Sequence, residues 1–184
     1  MSDWIDDQGY RANVGIILIR GDGRVFLGGR AGGRGWQFPQ GGIRVDEPFR
    51  EAAYRELREE TGLAPDDVEW MGETRDWVRY RLPRQYLRRS SMPRCIGQKQ
   101  RWALLKFAGS DDRFRFDTTD EPPEFECFRW ADYWEPVRAV VFFKRDVYRS
   151  ALHELGVVAF PGGLPPYPRW WADPDAGDPA EPVD

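Results

Sequence analysis

The hexapeptide Arg55-Glu56-Leu57-Arg58-Glu59-Glu60 gathers the side chains of this chain best suited to chemistry. On a helix, positions 56, 59 and 60 stand at i, i+3 and i+4, so three carboxylates project from one face. Phe49, Ala52 and Ala53 share that stripe and turn it partly toward protein. Arg55 reaches Glu51 or Glu59 at four-residue spacing and is expected to lie away from Glu56. The i±4 neighbours of Glu56, Ala52 and Glu60, offer no positive charge. Carboxylates about 6 Å apart repel by roughly 3 kcal/mol per pair at an effective dielectric of about 20, and by only a few tenths when fully exposed. A partly buried cluster therefore calls for cations. Oxygen donors without histidine or thiolate nearby favour Mg²⁺, or Mn²⁺ in its place, over zinc. An ordinary acidic surface helix fits the hexapeptide alone about equally well.

The elements around this segment must present it. Val14–Ile19 reads as a buried strand, Gly21-Asp22-Gly23 as a turn, and Arg24–Leu27 as the hairpin partner. A glycine- and arginine-rich loop is expected at Gly28–Gly35, then a short strand Trp36-Gln37-Phe38 that ends at Pro39-Gln40-Gly41-Gly42. Pro48 to Thr61 reads as a helix, with Asp46 or Glu47 available as cap and Gly62 past its end. Further strands are expected at Val68–Met71, Trp77–Leu82, Gln100–Phe107 and Phe125–Trp130. A second helix, roughly Phe143 to Leu155, spaces Val147, Ala151 and Leu155 by four. Hairpins and helices around a mixed sheet imply an α/β fold, a three-layer α/β/α sandwich. The division expected is a domain at 1–160 and a Pro/Gly-rich, acidic tail of poor order at 161–184.

Composition narrows the function. With 184 residues, 41% hydrophobic and 32% charged, the chain suits one folded domain rather than a disordered one. No apolar run approaches the roughly 18 residues of a membrane span. The opening Met1-Ser2-Asp3-Trp4-Ile5-Asp6-Asp7 lacks the basic and apolar regions of a secretory signal. Cys95 and Cys127 make no paired motif, and a reducing cytoplasm is the expected location. A single histidine, His153, leaves no material for a His-rich zinc site or a Ser-His-Asp relay, and its apolar-periodic surroundings mark it as structural. The net charge of −4 is uneven. Arg75 to Lys106 carries ten basic residues against the one acid Asp76, interleaved with Trp77, Tyr80, Tyr86 and Trp102, while five acids and no base follow Ala172. A basic-aromatic run suits a phosphate-bearing chain with bases to stack on, or equally a solvated loop rich in arginine.

The flanks of the hexapeptide decide more. Gly41, Glu47, Arg55, Glu56, Leu57, Glu59, Glu60, Gly62 and Leu63 fit G-x5-E-x7-R-E-U-x-E-E-x-G-U, with U a bulky aliphatic residue. This resembles the Nudix hydrolase box at every specified position. The resemblance implies a Nudix-type sandwich and metal-dependent hydrolysis of a diphosphate linked to some group X. The glycine pair would let the backbone approach phosphate or metal. Arg55 would hold the glutamates, and Glu47 would fix the loop-helix junction.

Further segments resemble the bacterial RNA pyrophosphohydrolases, also described as dinucleoside polyphosphate hydrolases. They are Asp6–Gly15, Trp36–Gly42, Ile96–Gln100, Pro123-Glu124-Phe125 and Phe143–Tyr148. That branch implies conversion of a 5′-triphosphorylated RNA end to a 5′-monophosphate that nucleases can attack. Carried over by position, Glu56, Glu59 and Glu60 would be metal ligands, one of the last two also orienting or deprotonating water. Gly41 would lend a carbonyl, and Glu124 a carboxylate from across the cleft. Arg11, Arg30, Tyr80, Val141, Phe143 and Lys144 match positions implied to contact the RNA end or its first bases. The loop Gly32-Gly33-Arg34-Gly35 departs from the pattern, with glycine where relatives offer a hydroxyl. Diadenosine tetra- or pentaphosphate hydrolysis is the nearest rival substrate class. Clearance of damaged nucleoside triphosphates leaves the basic-aromatic run unexplained. A non-catalytic RNA or nucleotide sensor would be expected to lose box glutamates, and all are present. A protein activator is neither implied nor excluded.

Overall fold

The computed structural model of the protein describes residues 3–86, 95–119 and 122–175. In chain order its elements are β1 (Tyr10–Ile19), β2 (Val25–Arg30), β3 (Trp36–Gln37), β4 (Gln40–Gly42), α1 (Phe49–Thr61), β5 (Val68–Glu73), β6 (Val78–Arg81), β7 (Gly97–Phe107), β8 (Phe125–Ala131), α2 (Glu135–Ala139) and α3 (Arg145–Ala159). The centre of the mixed sheet is the parallel pair β1 and β7, in register from Tyr10↔Gly97 to Ile19↔Lys106. β4 pairs antiparallel with β1, and β5 and β6 pair antiparallel with β7.

Strand alternation sorts the core into two layers. Ala12, Val14, Ile16 and Leu18 of β1, with Ala103 and Leu105 of β7, pack on Ala52, Ala53 and Leu57 of α1. Ile17 and Ile19, with Trp102 and Leu104, face Val147, Tyr148, Ala151, Leu152 and Leu155 of α3. A central sheet covered on both faces needs a near-continuous apolar run, and that is what Val14–Ile19 supplies. The helix-sheet-helix layering expected from the sequence is the one observed.

Several local expectations need correction. β1 and β2 do not form a full hairpin: they pair only at Ile19↔Val25, while β2 pairs with β8 from Val25 to Arg30. Glycine makes this possible: a Cβ on Gly28 would stand 2.4 Å from the Phe125 ring, and one on Gly29 2.5 Å from Cys127 Sγ. The expected loop from Gly28 therefore starts only after Arg30. At the start of α1, Pro48 occupies the N-cap with no side-chain cap bond, and Asp46 and Glu47 do not cap. Gly62 does close the helix, at φ 77°, with its N–H on the Arg58 carbonyl. The last helix begins at Arg145, two residues later than expected, and α2 escapes a periodicity search because it spans five residues.

The segment after Pro161 is not loose as far as Asp175. Trp134 Nε1 donates to the Pro165 carbonyl at 3.0 Å, and Arg149 Nη2 to the Trp171 carbonyl at 3.2 Å. Tyr167 stacks on Trp171 and on His153, so the lone histidine belongs to an aromatic cluster on α3. Average composition hid the anchoring power of these rings. Among the described residues no helix is long and apolar enough to cross a membrane.

Candidate active site

α1 turns Glu56 inward and leaves Glu59 and Glu60 with part of their surface open to a cleft. β4 meets this face so closely that a Cβ on Gly41 would fall 1.9 Å from the Glu56 carboxyl. Glycine there is a steric requirement. Arg55 is the hub of the cluster. Its Nε and Nη2 grip the two oxygens of Glu47 at 2.7 and 2.8 Å, and Nη2 also donates to the Gly42 carbonyl at 2.7 Å. Its Nη1 donates to Glu56 Oε1 at 2.5 Å and to Glu59 Oε2 at 3.2 Å. Glu47 accepts in addition from the Arg44 backbone N–H at 2.9 Å, which ties the loop to the helix.

The expectation that Arg55 avoids Glu56 is therefore wrong. The four-residue rule counts neighbours on a bare helix surface, whereas β4 and Glu47 bend this guanidinium across the first carboxylate. Burial pushes the Glu56 carboxyl up, against the pull of Arg55. The Glu60 carboxyl is half-buried at the cleft wall, and that desolvation, followed by the charge of Glu56, pushes it well above the usual carboxylate range. It accepts a hydrogen bond from the Gln40 backbone N–H at 3.0 Å. Hydrogen bonds to Glu47 hold the Arg55 guanidinium firmly charged.

Across the cleft, Glu124 Oε1 accepts from Arg30 Nε at 2.8 Å and from Gln37 Nε2 at 3.0 Å. The other end of Gln37 accepts from Lys144 Nζ at 3.3 Å. Lys144 is buried, and that burial, helped by Arg30, pulls its ammonium down to about 8. Gln37 was missed as a site residue. Its signal was a polar side chain inside the aromatic strand Trp36-Gln37-Phe38, where alternation sends it to the face opposite its neighbours.

Two contiguous chambers result. The acidic one, about 750 Å³, is lined by Arg11, Arg30, Gly41, Arg55, Glu56, Glu59, Glu60, Glu124 and Lys144 among others. The other, about 660 Å³, shares Arg11, Arg30 and Lys144 with it and adds Tyr80, Val141 and Phe143. The twelve residues read as catalytic, metal-holding or RNA-contacting line one chamber or the other, and Glu47 stands behind them. The Tyr80 and Phe143 rings lie 5.9 Å apart, and Tyr80 OH donates to Gln98 Oε1 at 2.5 Å.

The basic run fares differently. None of its described cations lines either chamber; the cationic walls come from Arg11, Arg30, Arg34, Arg44, Arg55 and Lys144. Trp102 is fully buried core and offers no face to a base. Lys99 is buried, paired with Asp6 at 3.0 Å beneath the Trp4 and Trp77 rings. Alternation along β6 sends Tyr80 inward and leaves Arg79 and Arg81 exposed. Arg88, Arg89 and Arg94 of that run, and the acids beyond Asp175, lie outside the described residues.

The NUDIX domain family matches residues 9–164. The chain belongs to the Nudix family. Its relatives include proteins named RNA pyrophosphohydrolase from Thioalkalivibrio sulfidiphilus, 56% identical over 88% of this chain and 92% of that protein, and from Alkalilimnicola ehrlichii, 56% identical over 89% and 90%. Among solved structures the fold is similar to that of the E. coli dihydroneopterin triphosphate pyrophosphohydrolase, with TM-score 0.57 and 16% identity over 76% of this chain and 92% of that one. At that identity the likeness concerns the fold alone.

Nudix hydrolases generally need divalent metal ions, and the cleft of this Nudix domain suits a hard cation. Its donors are oxygens only, and the buried Glu56 and half-buried Glu60 carboxyls have too little positive charge to balance them. Asn13 Oδ1 and Gln40 Oε1 are buried in the same wall with no hydrogen-bond donor among the described residues. Among the described residues no three acidic, histidine or cysteine side chains close into a ready-made cage. Arg55, the Gln40 backbone and Gln37 hold the carboxylates apart instead.

Proposed function

We propose that this enzyme hydrolyses the 5′-triphosphate or diphosphate end of RNA to a 5′-monophosphate, releasing pyrophosphate or orthophosphate. The observation that carries this reading is the joining of the carboxylate face of α1 to a half-apolar chamber through three shared cations, Arg11, Arg30 and Lys144. Such a cleft holds a polyphosphate at one end and a nucleotide at the other. The names of relatives 56% identical over most of the chain support it.

Glu56, Glu59 and Glu60, with the Gly41 carbonyl and Glu124, would hold Mg²⁺, with Mn²⁺ as a substitute. The chemistry such a cation supplies is neutralisation of the polyphosphate and a lowered pKa for a coordinated water. Glu59 and Glu60 keep surface toward the cleft, which supports a role for one of the two in orienting or deprotonating that water. Arg55 keeps the carboxylates in place through its bonds to Glu47, Glu56 and Glu59. Arg11, Arg30 and Lys144 clasp phosphate. Tyr80, Val141 and Phe143 form the wall against which a first base rests.

The test is Glu60→Gln, assayed on triphosphorylated RNA and on diadenosine tetraphosphate side by side with Mg²⁺ present. Turnover on RNA should fall at least about 100-fold, since a ligand is lost and not merely its support. Thermal stability should hold or rise, because a buried carboxyl becomes a neutral amide of the same shape. Phosphate release near the wild-type rate would remove Glu60 from the mechanism. A wild-type kcat/KM far higher on the dinucleotide would overturn the RNA assignment.

A further inference from the structure

A short segment ahead of β1 brings a carboxylate into the cleft that none of the chemistry above requires. Asp3 lines both chambers. Its two oxygens meet the guanidinium of Arg11 at two points: Nη2 donates to Oδ1 at 3.1 Å, and Nε lies 2.9 Å from Oδ2. One hydrogen bond, from Nη2, and one close charge contact, at Nε, set the carboxylate on the edge of arginine that also fits a phosphate. The pair lies flat on β4, where a Cβ on Gly42 would stand 2.4 Å from Arg11 Nη2 and 2.9 Å from Asp3 Oδ1.

The segment is built to stay there. The Trp4 backbone donates to the Ile43 carbonyl at 3.0 Å and accepts from the Ala12 N–H at 2.8 Å. The Trp4 ring meets Trp77 edge-on at 5.7 Å, and Lys99 Nζ sits 4.1 Å from its centre. Lys99 is in turn fixed by Asp6. Yet the ion pair at its tip stays open, with Arg11 34% and Asp3 47% exposed, so an incoming anion can reach it and exchange.

We propose that Asp3 is an internal competitor for Arg11, a carboxylate that a substrate phosphate must displace, and that it thereby sets the affinity of the cleft for polyphosphate. The proposal rests on Arg11 being a substrate contact, as read above. An exposed pair is weak, so the effect is a tuning of a few fold rather than a block. An arginine already neutralised by Asp3 also contributes little to counterion release on binding.

Asp3→Asn should lower KM for a triphosphorylated oligonucleotide about two- to five-fold. The dependence of log KM on log salt should steepen by about 0.7, the share of one phosphate contact on a single strand. Trp4→Ala, which loosens the anchor, should move KM the same way. Adding Asp3→Asn to Arg11→Ala should give no gain, because no guanidinium remains to free. A raised KM in Asp3→Asn would make Asp3 a support for Arg11 instead, and an unchanged KM and salt slope would leave it without influence; either overturns the proposal. Failure of the wild type to act on RNA would count against the function assigned above, not against this competition. Calorimetric titration with inorganic tripolyphosphate then decides, and equal affinity in wild type and Asp3→Asn overturns the proposal there.

Discussion

Glu47 shows how much of this cleft is support. It is given no part in holding metal and lies near the start of the box, yet it holds the guanidinium that organises Glu56 and Glu59. Hydrogen bonds from Arg55 keep its carboxyl below the ordinary glutamate value. A carboxyl lowered in the folded state stabilises the fold fully above roughly pH 4.5, and that contribution is lost as pH falls through the lowered value. Glu47→Gln should therefore cost about 3–5 kcal/mol at pH 7. It should also flatten the decline of stability between about pH 5 and 3. Urea titrations across that range measure both, and parallel profiles for variant and wild type would contradict the assignment. The glutamate face was legible in sequence because helical spacing fixes which residues share a side. The contact between Arg55 and Glu56 was not, since it depends on β4 and Glu47 pressing on the guanidinium. Trp102 misled for a related reason: a charge count along the chain ignores that β7 sends alternate residues to opposite layers.

At the scale of elements, α1 and β4 work as one unit, and the space between them is the width of a glycine. Gly41→Ala should press a methyl into the Glu56 carboxyl, either pushing it aside or parting β4 from α1. Turnover should fall at least about 100-fold. The stability loss should stay at about 1–3 kcal/mol, as in other overpacked sites. Activity assays beside thermal melts check this, and full activity with an unchanged melting temperature would mean that the strand simply moves away. Most elements could be read from apolar runs and breakers, but their partners could not. β2 reads like a hairpin arm yet pairs along its length with β8, a choice made by small residues meeting a ring more than ninety positions away. The described cations of the basic run stay out of the cleft on the same ground. Its cations are spread by alternation and by pairing with Asp6 and Glu73, while the walls of the cleft draw on arginines from β1, β2 and the loops.

For the whole molecule, the segment from Pro161 to Asp175 is part of the fold. Trp170 and Trp171 pack on the α3 layer, and Pro165 takes the indole N–H of Trp134. A chain ending at Phe160 should lose about 3 kcal/mol from the exposed rings. That corresponds to a melting temperature lower by roughly 6–12 °C. Calorimetry of the shortened chain checks this, and an equal melting temperature would show that the rings contribute nothing.

The parallel pair at the heart of the sheet has a consequence in time. Tyr10 is in register with Gly97 and Ile19 with Lys106, so the first long strand meets its chief neighbour only after nearly ninety more residues have been joined. At ribosomal speeds of about 5–20 residues per second, that is a wait of roughly 4–18 seconds. Through that interval a greasy ribbon has one flank bare, and the nascent enzyme has no finished pocket. Birth of the catalyst must wait for the second half of its own translation.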